Sequence, residues 1–176
     1  MRIIAGEWRG RTIRAPRGRD VRPTTDRIRE AWMGALGDRV VDARVLDLFA
    51  GSGALGLEAL SRGAREAVFV ERARGALSAL EANIEALGAE DRAHVVRGDV
   101  FRYLARLGGG SEFDLALADP PYGRGLAARL IEAMQARPFA RELWVEHGSE
   151  EALPSSSELV QRRYGDTTIS ILETSE

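Results

Sequence analysis

A glycine-rich turn between an apolar run and a helical pattern constrains this chain more than any other feature. The turn lies within DLFAGSGALG, Asp47–Gly56, and the apolar residues from Val45 to Phe49 lead into it. Glycines at positions 51, 53 and 56 allow a sharp bend and a close approach of the backbone to a ligand. The first N–H groups of a helix have no intrahelical partner and can face that ligand. The stretch therefore predicts a strand, a ligand-binding turn and the start of a helix.

Strand and helix patterns alternate from Arg44 onward. The clearest helix repeats apolar residues at helical spacing from Ala73 to Leu87 and ends at Gly88. Alternation of this kind predicts an α/β fold with a mainly parallel sheet and helices on both faces, and the last two strands should form a hairpin. The predicted strands are Val45–Phe49, Ala67–Val70, His94–Arg97, Phe113–Ala118, Leu143–Glu146, Leu159–Arg163 and Thr167–Leu172.

The glycine spacing taken alone fits a dinucleotide fingerprint, with Glu71 lying 20 residues after Gly51. Other acids change that interpretation. Asp47 lies inside the strand before the turn, Asp99 follows the third apolar run, and DPPYG begins with Asp119 after the fourth. A pyrophosphate gains nothing from such carboxylates. S-adenosylmethionine carries a sulfonium, an amino group and ribose hydroxyls, so the acids favour this cofactor.

Four stretches carry a resemblance to a known family. DLFAGSGALG and DPPY resemble the motifs of class I S-adenosylmethionine-dependent methyltransferases, and DPPY resembles the motif of those that methylate planar nitrogen. RIIAGEWRGRTI near the start, RPTTDRIREA from Arg22 to Ala31, and DLFAGSGALGLEALSRGA from Asp47 to Ala64 resemble the RsmD family of 16S rRNA guanine-N2 methyltransferases. This resemblance implies a Rossmann-like fold with a seven-stranded sheet and an N-terminal β-hairpin arm. It also implies methyl transfer to the N2 amino group of a guanine in small-subunit rRNA.

The acids at the strand ends have separate expected roles toward the cofactor. Glu71 would accept hydrogen bonds from both ribose hydroxyls, because a carboxylate offers two oxygens. Asp99 and the backbone after it would hold the adenine amino group, while Asp47 and the turn would hold the methionine end. Each acid alone can equally be a helix cap. The predicted cofactor residues are Asp47, Ala50, Gly51, Ser52, Gly53, Gly56, Glu71, Arg72, Asp99, Val100 and Asp119.

The DPPY string is the predicted catalytic element, comprising Asp119, Pro120, Pro121 and Tyr122. Asp119 and the Pro120 carbonyl can accept the two N–H hydrogens of an amino group, and consecutive prolines present no N–H donors. Tyr122 would stack on the target base. Adenine N6 or a glutamine amide fits this chemistry as well as guanine N2, so the choice of guanine rests on the resemblance.

Basic residues are concentrated at the N-terminus. Residues 1–29 contain nine arginines and only three acids, although the whole chain has a net charge of −2. Arg2–Ala5 and Arg11–Arg14 are predicted to pair as a hairpin across Gly6–Gly10. Trp8 would either stack on a base or pack beneath the hairpin, and packing is the favoured role. We expect a basic arm and linker over residues 1–23 and a methyltransferase domain over 24–176. A solvated charged face is the alternative. The predicted RNA-binding residues are Arg9, Arg11, Arg14, Arg22, Thr24 and Arg27.

A helix is predicted to begin at Thr24 or Thr25 and to end at Gly37. Apolar residues recur along it with the spacing of a buried face. Arg27, Arg29 and Glu30 fall outside that stripe, so they are expected to face the cofactor or RNA phosphates. The predicted buried residues are Ile28, Ala31, Trp32, Ala35 and Leu36.

Composition limits the remaining classes. The chain has no cysteine and two histidines, without ligand spacing, so neither a disulfide nor a metal site is expected. No run approaches the ~20 apolar residues of a membrane span. We expect a cytoplasmic monomer whose partner is 16S rRNA, the small ribosomal subunit or an assembly intermediate. The rival interpretations are a DNA adenine or protein-glutamine methyltransferase and a non-catalytic RNA-binding module.

Overall fold

The computed structural model describes residues 1–16, 26–110 and 112–175. Helices and strands alternate along the chain from β1 to β5, as the sequence predicts. The helices are α1 (Asp26–Leu36), α2 (Ala54–Ser61), α3 (Arg74–Leu87), α4 (Val100–Arg106) and α5 (Leu126–Ala136), and a 3-10 helix, Gly37–Val40, follows α1. The strands are β1 (Arg44–Leu48), β2 (Glu66–Glu71), β3 (Ala93–Arg97), β4 (Phe113–Ala118), β5 (Ala140–Gly148), β6 (Leu159–Tyr164) and β7 (Thr167–Glu173).

The strands form one seven-stranded sheet in the order β3-β2-β1-β4-β5-β7-β6. Strands β1 to β5 are parallel, and β7 runs antiparallel to both β5 and β6. The predicted fold class is confirmed. The chain builds outward from β1 through β2 to β3 and then returns to β4 on the other side of β1, where Asp47 pairs with Leu117. A crevice at the carboxyl ends of the strands is typical of such a reversal.

Alternate residues of each central strand bury different faces of the sheet, because successive side chains in a strand point in opposite directions. Val45 packs with α1, α2, α3 and the N-terminal hairpin, whereas Leu46 and Leu48 pack with α4 and α5. Asp47 shares the face of Val45. Its carboxylate is consequently held against α2 instead of the apolar layer on the other side.

Strand bounds differ from the prediction where polar residues obscure an apolar pattern. β5 begins at Ala140, three residues before the predicted Leu143, because Ala140 and Glu142 already pair with β4 and Glu142 also pairs with β7. β1 ends at Leu48 instead of Phe49, which has a φ of 54°. The earlier start of β5 is therefore due to backbone pairing in the sheet, which composition alone does not reveal.

The N-terminal segment forms the predicted hairpin and is packed into the main core. Arg2 and Thr12 form an antiparallel bridge, and the N–H of Ile3 donates to the Arg11 carbonyl at 2.9 Å. Ile3, Trp8 and Ile13 lie in the same hydrophobic cluster as α1, α2 and α3. The boundary proposed at residue 23 lies outside the described residues.

Arg29 corrects the prediction for α1. The apolar pattern placed it outside the buried stripe, yet its side chain is fully buried. Its guanidinium lies 3.7 Å from Glu58 and 3.0 Å from Asp26 and donates to the Arg2 carbonyl. Burial lowers the pKa of Arg29, although Glu58 and Asp26 oppose that shift. The hairpin covers this face of α1, and α2 supplies the carboxylate, so the burial depends on tertiary contacts.

No α-helix in the described part of the chain has the length and apolar composition needed to cross a membrane.

Candidate active site

A cavity of about 560 Å³ lies at the carboxyl ends of β1, β2 and β4. The loops that follow these strands form most of its wall. Asp47, Glu71 and Asp119 contribute three carboxylates to that wall. The sheet reversal therefore brings together acids that are far apart in the sequence, as expected for neighbouring parallel strands.

Asp47 is the most buried of these acids, with 1% of its surface exposed. Its Oδ2 accepts a hydrogen bond from the backbone N–H of Gly56 at 2.9 Å. Burial raises the pKa of Asp47 well above its ordinary value, and the nearby charges of Asp119 and Glu71 raise it further, while the Gly56 hydrogen bond acts in the opposite direction. A positively charged ligand group in the cavity would stabilise the ionised carboxylate.

Two glycines permit the turn to close around Asp47. A Cβ atom at Gly56 would lie 2.4 Å from Phe69 Cε1 and 3.0 Å from Asp47 Oδ2. Gly53 has a φ of 86°, and a Cβ there would lie 2.4 Å from a methyl group of Leu80. A larger residue at Gly56 would press on Phe69 and on the Asp47 carboxylate, and one at Gly53 would press on Leu80 and occupy a left-handed backbone conformation.

The Glu71 carboxylate binds the backbone of the glycine turn and of the segment that leads into α3. Its Oε2 accepts from the Gly51 N–H at 2.8 Å, and its Oε1 accepts from the N–H groups of Arg72 and Ala73 at 2.8 and 2.9 Å. These bonds orient the carboxylate at the end of β2. They also connect the residue predicted to bind ribose with the glycine turn.

Asp99 lies at the start of α4 and caps that helix. Its Oδ1 accepts from the Arg102 N–H at 3.0 Å, and its Oδ2 lies 3.7 Å from Arg72 Nη1. Val100 is buried in the core beside α5. The residues of the predicted cofactor set that line the cavity are Asp47, Ala50, Gly51, Ser52, Glu71 and Asp119.

The DPPY turn, which follows β4, forms another part of the cavity wall. Asp119, Pro120, Pro121 and Tyr122 all line the cavity. The loop after β5 braces this turn, because the Glu151 carboxylate accepts from the N–H groups of both Gly123 and Gly148, at 3.1 and 2.6 Å. The four predicted catalytic residues are thus held together in one part of the wall.

Eight lining residues were missed by the sequence analysis: Met1, Pro16, Phe49, Ala54, Leu55, Ala73, Ala76 and Arg124. The hairpin brings Met1 and Pro16 to the cavity, and no local signal predicts where a docked hairpin ends. Phe49 has a left-handed backbone, which costs a non-glycine residue ~1–3 kcal/mol. Such strain concentrates at binding sites. Arg124 directly follows the DPPYG string, and this proximity was the one available signal.

The residues predicted to bind RNA are exposed where they are described. Arg9, Arg11 and Arg14 lie on the hairpin, and Arg27 lies on α1. Arg11 also donates to the Ala86 carbonyl of α3 at 2.6 Å. Two further predicted residues, Arg22 and Thr24, lie outside the described part of the chain.

The donor set of the cavity suits a cationic organic ligand. Three carboxylates line it, and one of them, Asp47, is buried beside two others that disfavour its ionisation. A sulfonium or an ammonium group would relieve that unfavourable interaction. Among residues 1–16, 26–110 and 112–175, no group of three or more His, Cys, Asp or Glu side chains could hold a metal ion.

Comparisons with known proteins agree with these features. The sequence profile of the family described as Conserved hypothetical protein 95 matches residues 1–173. Ribosomal RNA small subunit methyltransferase D of Escherichia coli (strain K12) is 40% identical over 158 residues, covering 88% of this chain and 78% of that protein.

Solved structures share the fold. A hypothetical protein of Thermus thermophilus superposes with a TM-score of 0.84 and 33% identity, covering 99% of each chain. An RNA methyltransferase from Salinibacter ruber in complex with S-adenosyl-L-homocysteine superposes with a TM-score of 0.65, covering 86% of this chain and 93% of that one. At 15% identity the latter shows the fold alone. The chain belongs to the family described as Conserved hypothetical protein 95, the RsmD family that its motifs predicted.

Proposed function

We propose that this protein transfers a methyl group from S-adenosylmethionine to the N2 amino group of a guanine in 16S rRNA. The observation that carries the proposal is the cavity whose wall combines the carboxylates of Asp47 and Glu71 with the whole DPPY turn, including Asp119. The 40% identity to a protein named Ribosomal RNA small subunit methyltransferase D supports the choice of small-subunit rRNA.

The carboxylates divide the cofactor between them in this proposal. Glu71 binds the ribose hydroxyls, because its orientation at the end of β2 is already fixed by Gly51. Asp47 and the backbone of Ala50 to Gly53 bind the methionine end, where an ammonium group neutralises the buried acid. Asp99 and Val100 hold the adenine from the start of α4, and Arg72 lies between the Glu71 and Asp99 positions.

The protein's contribution to the chemistry is mainly orientation. An exocyclic amino group on a base is a poor nucleophile, since its lone pair is delocalised into the ring. Asp119 and the Pro120 carbonyl accept its two N–H hydrogens and so direct the lone pair toward the methyl group at a near-attack distance of ~3 Å. Tyr122 stacks on the base, a contact worth ~1–3 kcal/mol. When bound, S-adenosylmethionine would supply an electrophilic methyl group and leave as a neutral thioether. The proton that the methylated nitrogen must release would pass to Asp119, which accepts one of its N–H hydrogens, and from there to solvent.

The basic hairpin, together with Arg27 at the start of α1, supplies the RNA contacts in this proposal. Arg9, Arg14 and Arg27 are exposed and can contact phosphates, which fixes position, while the cavity reads the base. The target must leave its stack to enter, which costs less from a loop than from a duplex. We assign RNA binding to residues 1–23 and methyl transfer to residues 24–176. A cytoplasmic location and a monomeric state are part of the same proposal.

The test is a methyl-transfer assay with product identification. The protein is incubated with labelled S-adenosylmethionine and, in separate reactions, with deproteinised rRNA, small ribosomal subunits, DNA and a protein extract. Mass spectrometry of the digested products should find N2-methylguanosine in rRNA. N6-methyladenine or methylglutamine as the product would overturn the guanine assignment, and RNA binding without any transfer would indicate a non-catalytic module.

The Asp119→Ala variant tests the proposed role of Asp119 in methyl transfer. Its partner in the proposal is the base, so methylation should be abolished while the dissociation constant for S-adenosylhomocysteine stays within a few-fold. Asp91→Ala replaces an exposed acid in the turn before β3 and should leave both quantities unchanged. Retained turnover in Asp119→Ala would remove this residue from the mechanism.

A further inference from the structure

The side chain of Asn83 connects the N-terminal hairpin to the glycine turn. Asn83 lies in α3 and is 1% exposed. Its Oδ1 accepts from the backbone N–H of Arg14 at 2.7 Å, and its Nδ2 donates to the carbonyls of Arg14 and Ser52 at 2.9 and 3.0 Å. One amide therefore binds both backbone polar groups of a hairpin residue and one carbonyl of the turn.

Only a primary amide of this length meets all three requirements. It offers two N–H donors and one acceptor oxygen. Aspartate would keep the acceptor and lose both donors, and alanine would lose everything. Asn83 and Ser52 are both buried, so a Ser52 carbonyl left without its hydrogen bond would be costly.

The two segments joined by Asn83 belong to the same cavity wall. Pro16, two residues after Arg14, lines the cavity together with Gly51 and Ser52. A Cβ atom at Gly51 would lie 4.0 Å from the Pro16 ring. A displacement of the hairpin at Arg14 would therefore move the turn that is proposed to hold the methionine end of the cofactor.

Separate bonds dock the rest of the hairpin on α2. The Glu58 carboxylate accepts from the N–H groups of Ile4 and Ala5, at 2.9 and 3.0 Å, and the Ser61 hydroxyl accepts from the Trp8 N–H at 3.0 Å. These contacts do not involve Asn83. Replacing Asn83 should uncouple the hairpin from the turn while the hairpin remains attached to the protein.

We propose that Asn83 is a positioning residue through which RNA binding at the hairpin and cofactor binding in the cavity strengthen each other. RNA held by exposed Arg9 and Arg14 fixes the hairpin, and Asn83 passes that restraint to Ser52. The coupling is reciprocal, since each ligand must change the affinity of the other by the same factor. This inference rests on the proposed function, because it takes RNA and S-adenosylmethionine as the two ligands.

The test measures the affinity for S-adenosylhomocysteine by equilibrium dialysis, with and without saturating small ribosomal subunits that lack the methylation. In the native protein, the subunits should lower the dissociation constant by about 5-fold or more, within the range typical of coupled sites. In Asn83→Ala this ratio should fall to within about 2-fold of unity, because the link that carries the coupling is gone.

Ser170→Ala is the matched control. Ser170 is also a fully buried polar residue, with hydrogen bonds to His147 and Gln161 at 2.7 and 3.1 Å, and it lies in β7, away from the hairpin and the turn. This variant should be less stable, but the subunits should lower its dissociation constant for S-adenosylhomocysteine by the same factor as in the native protein. In Asn83→Asp, which retains the acceptor oxygen, the subunits should also change the dissociation constant for S-adenosylhomocysteine by less than about 2-fold. This variant decides the question if Asn83→Ala does not fold.

The outcomes separate this inference from the proposed function. A native protein that binds S-adenosylhomocysteine equally well with and without subunits, or an Asn83→Ala variant with the native ratio, would overturn the coupling alone. A native protein that binds no S-adenosylhomocysteine under either condition would overturn the proposed function as well.

Discussion

The hydroxyl of Tyr122 donates a hydrogen bond to Glu146 Oε1 at 2.9 Å and lies 2.9 Å from Thr167 Oγ1. The DPPY turn is thereby attached to β5 and β7. Glu146 is 1% exposed, so the contact is formed in the interior of the sheet. Because the hydroxyl end is held, the Tyr122 ring that we propose to stack on the base keeps one orientation in the cavity wall.

We expect Tyr122→Phe to lower kcat by ~10- to 100-fold, because small displacements of a positioned group have effects of this size. The ring remains, so stacking is retained and only its orientation is loosened. The dissociation constant for S-adenosylhomocysteine should change by less than about 2-fold, because the orientation of the Tyr122 ring affects the alignment of the reacting atoms and not the binding of the cofactor. Tyr164→Phe in β6 is the control, and a native kcat in Tyr122→Phe would show that the hydroxyl does not position the ring.

Asp47 should make the stability of the ligand-free protein depend on pH. Its pKa is raised above the ordinary value of 3.8, chiefly by burial. Between 3.8 and the raised value, the folded protein retains a proton that the unfolded chain has released. The free energy of unfolding therefore falls as the pH rises through that window. Urea denaturation at a series of pH values should show this decrease, and Asp47→Asn should abolish it.

The same carboxylate should make binding of S-adenosylmethionine depend on pH in the opposite direction. A cationic ligand favours the ionised form of Asp47, so binding releases a proton. The affinity therefore rises with pH up to the raised pKa that Asp47 has in the ligand-free protein. Calorimetry in two buffers with different ionisation enthalpies measures the released proton. Asp47→Asn keeps an oxygen for the Gly56 N–H and should bind more weakly with a flat profile. A variant profile parallel to that of the native protein would exclude Asp47 as the titrating group.

Glu71→Ala should raise the dissociation constant for S-adenosylhomocysteine by ~10-fold or more, because hydrogen bonds to a charged group contribute ~1.5–3 kcal/mol. Glu66→Ala removes an acid from the other end of β2 and is the matched control. Both variants should retain cooperative thermal unfolding. An unchanged dissociation constant in Glu71→Ala would refute its assignment to the ribose.

The sequence was sufficient for the sheet and for the residues at its carboxyl edge. Strands β1 and β4 are nearly uninterrupted apolar runs, because both faces of a parallel sheet are covered. Parallel pairing then places Asp47 and Asp119 at one edge without any tertiary information. The acids of the cavity are distant in the chain, but they could be predicted because neighbouring parallel strands end at the same edge of the sheet.

The parts of the site that depend on docking could not be predicted. Arg29 looked exposed because its burial requires both the hairpin and Glu58. Pro16 reaches the cavity only because the hairpin packs on α2 and α3. Asn83 lies in the middle of a helix whose apolar pattern explains it as an ordinary interior position, and its hydrogen bonds are formed with segments 31 and 69 residues away.

Replacing Arg9 and Arg14 together with alanine should weaken RNA binding and its dependence on salt. Each lost phosphate contact should reduce the slope of log affinity against log salt by about 0.7 for single-stranded RNA. Arg11 is left in place because it also donates to the Ala86 carbonyl. The control replaces Arg106 and Arg137, exposed residues at the carboxyl ends of α4 and α5, which pack on the other face of the sheet. Equal slopes in both variants would mean that the hairpin is only a solvated charged face.

The most direct test of the central claim is a crystal structure of the protein with S-adenosylhomocysteine. The claim is that acids at the ends of neighbouring parallel strands hold the methyl donor against the DPPY turn. We expect the ribose at Glu71, the amino group of the homocysteine part beside Asp47, and the sulfur facing the space between Asp119 and Tyr122. An empty cavity at saturating ligand, or a sulfur directed away from Asp119, would contradict it.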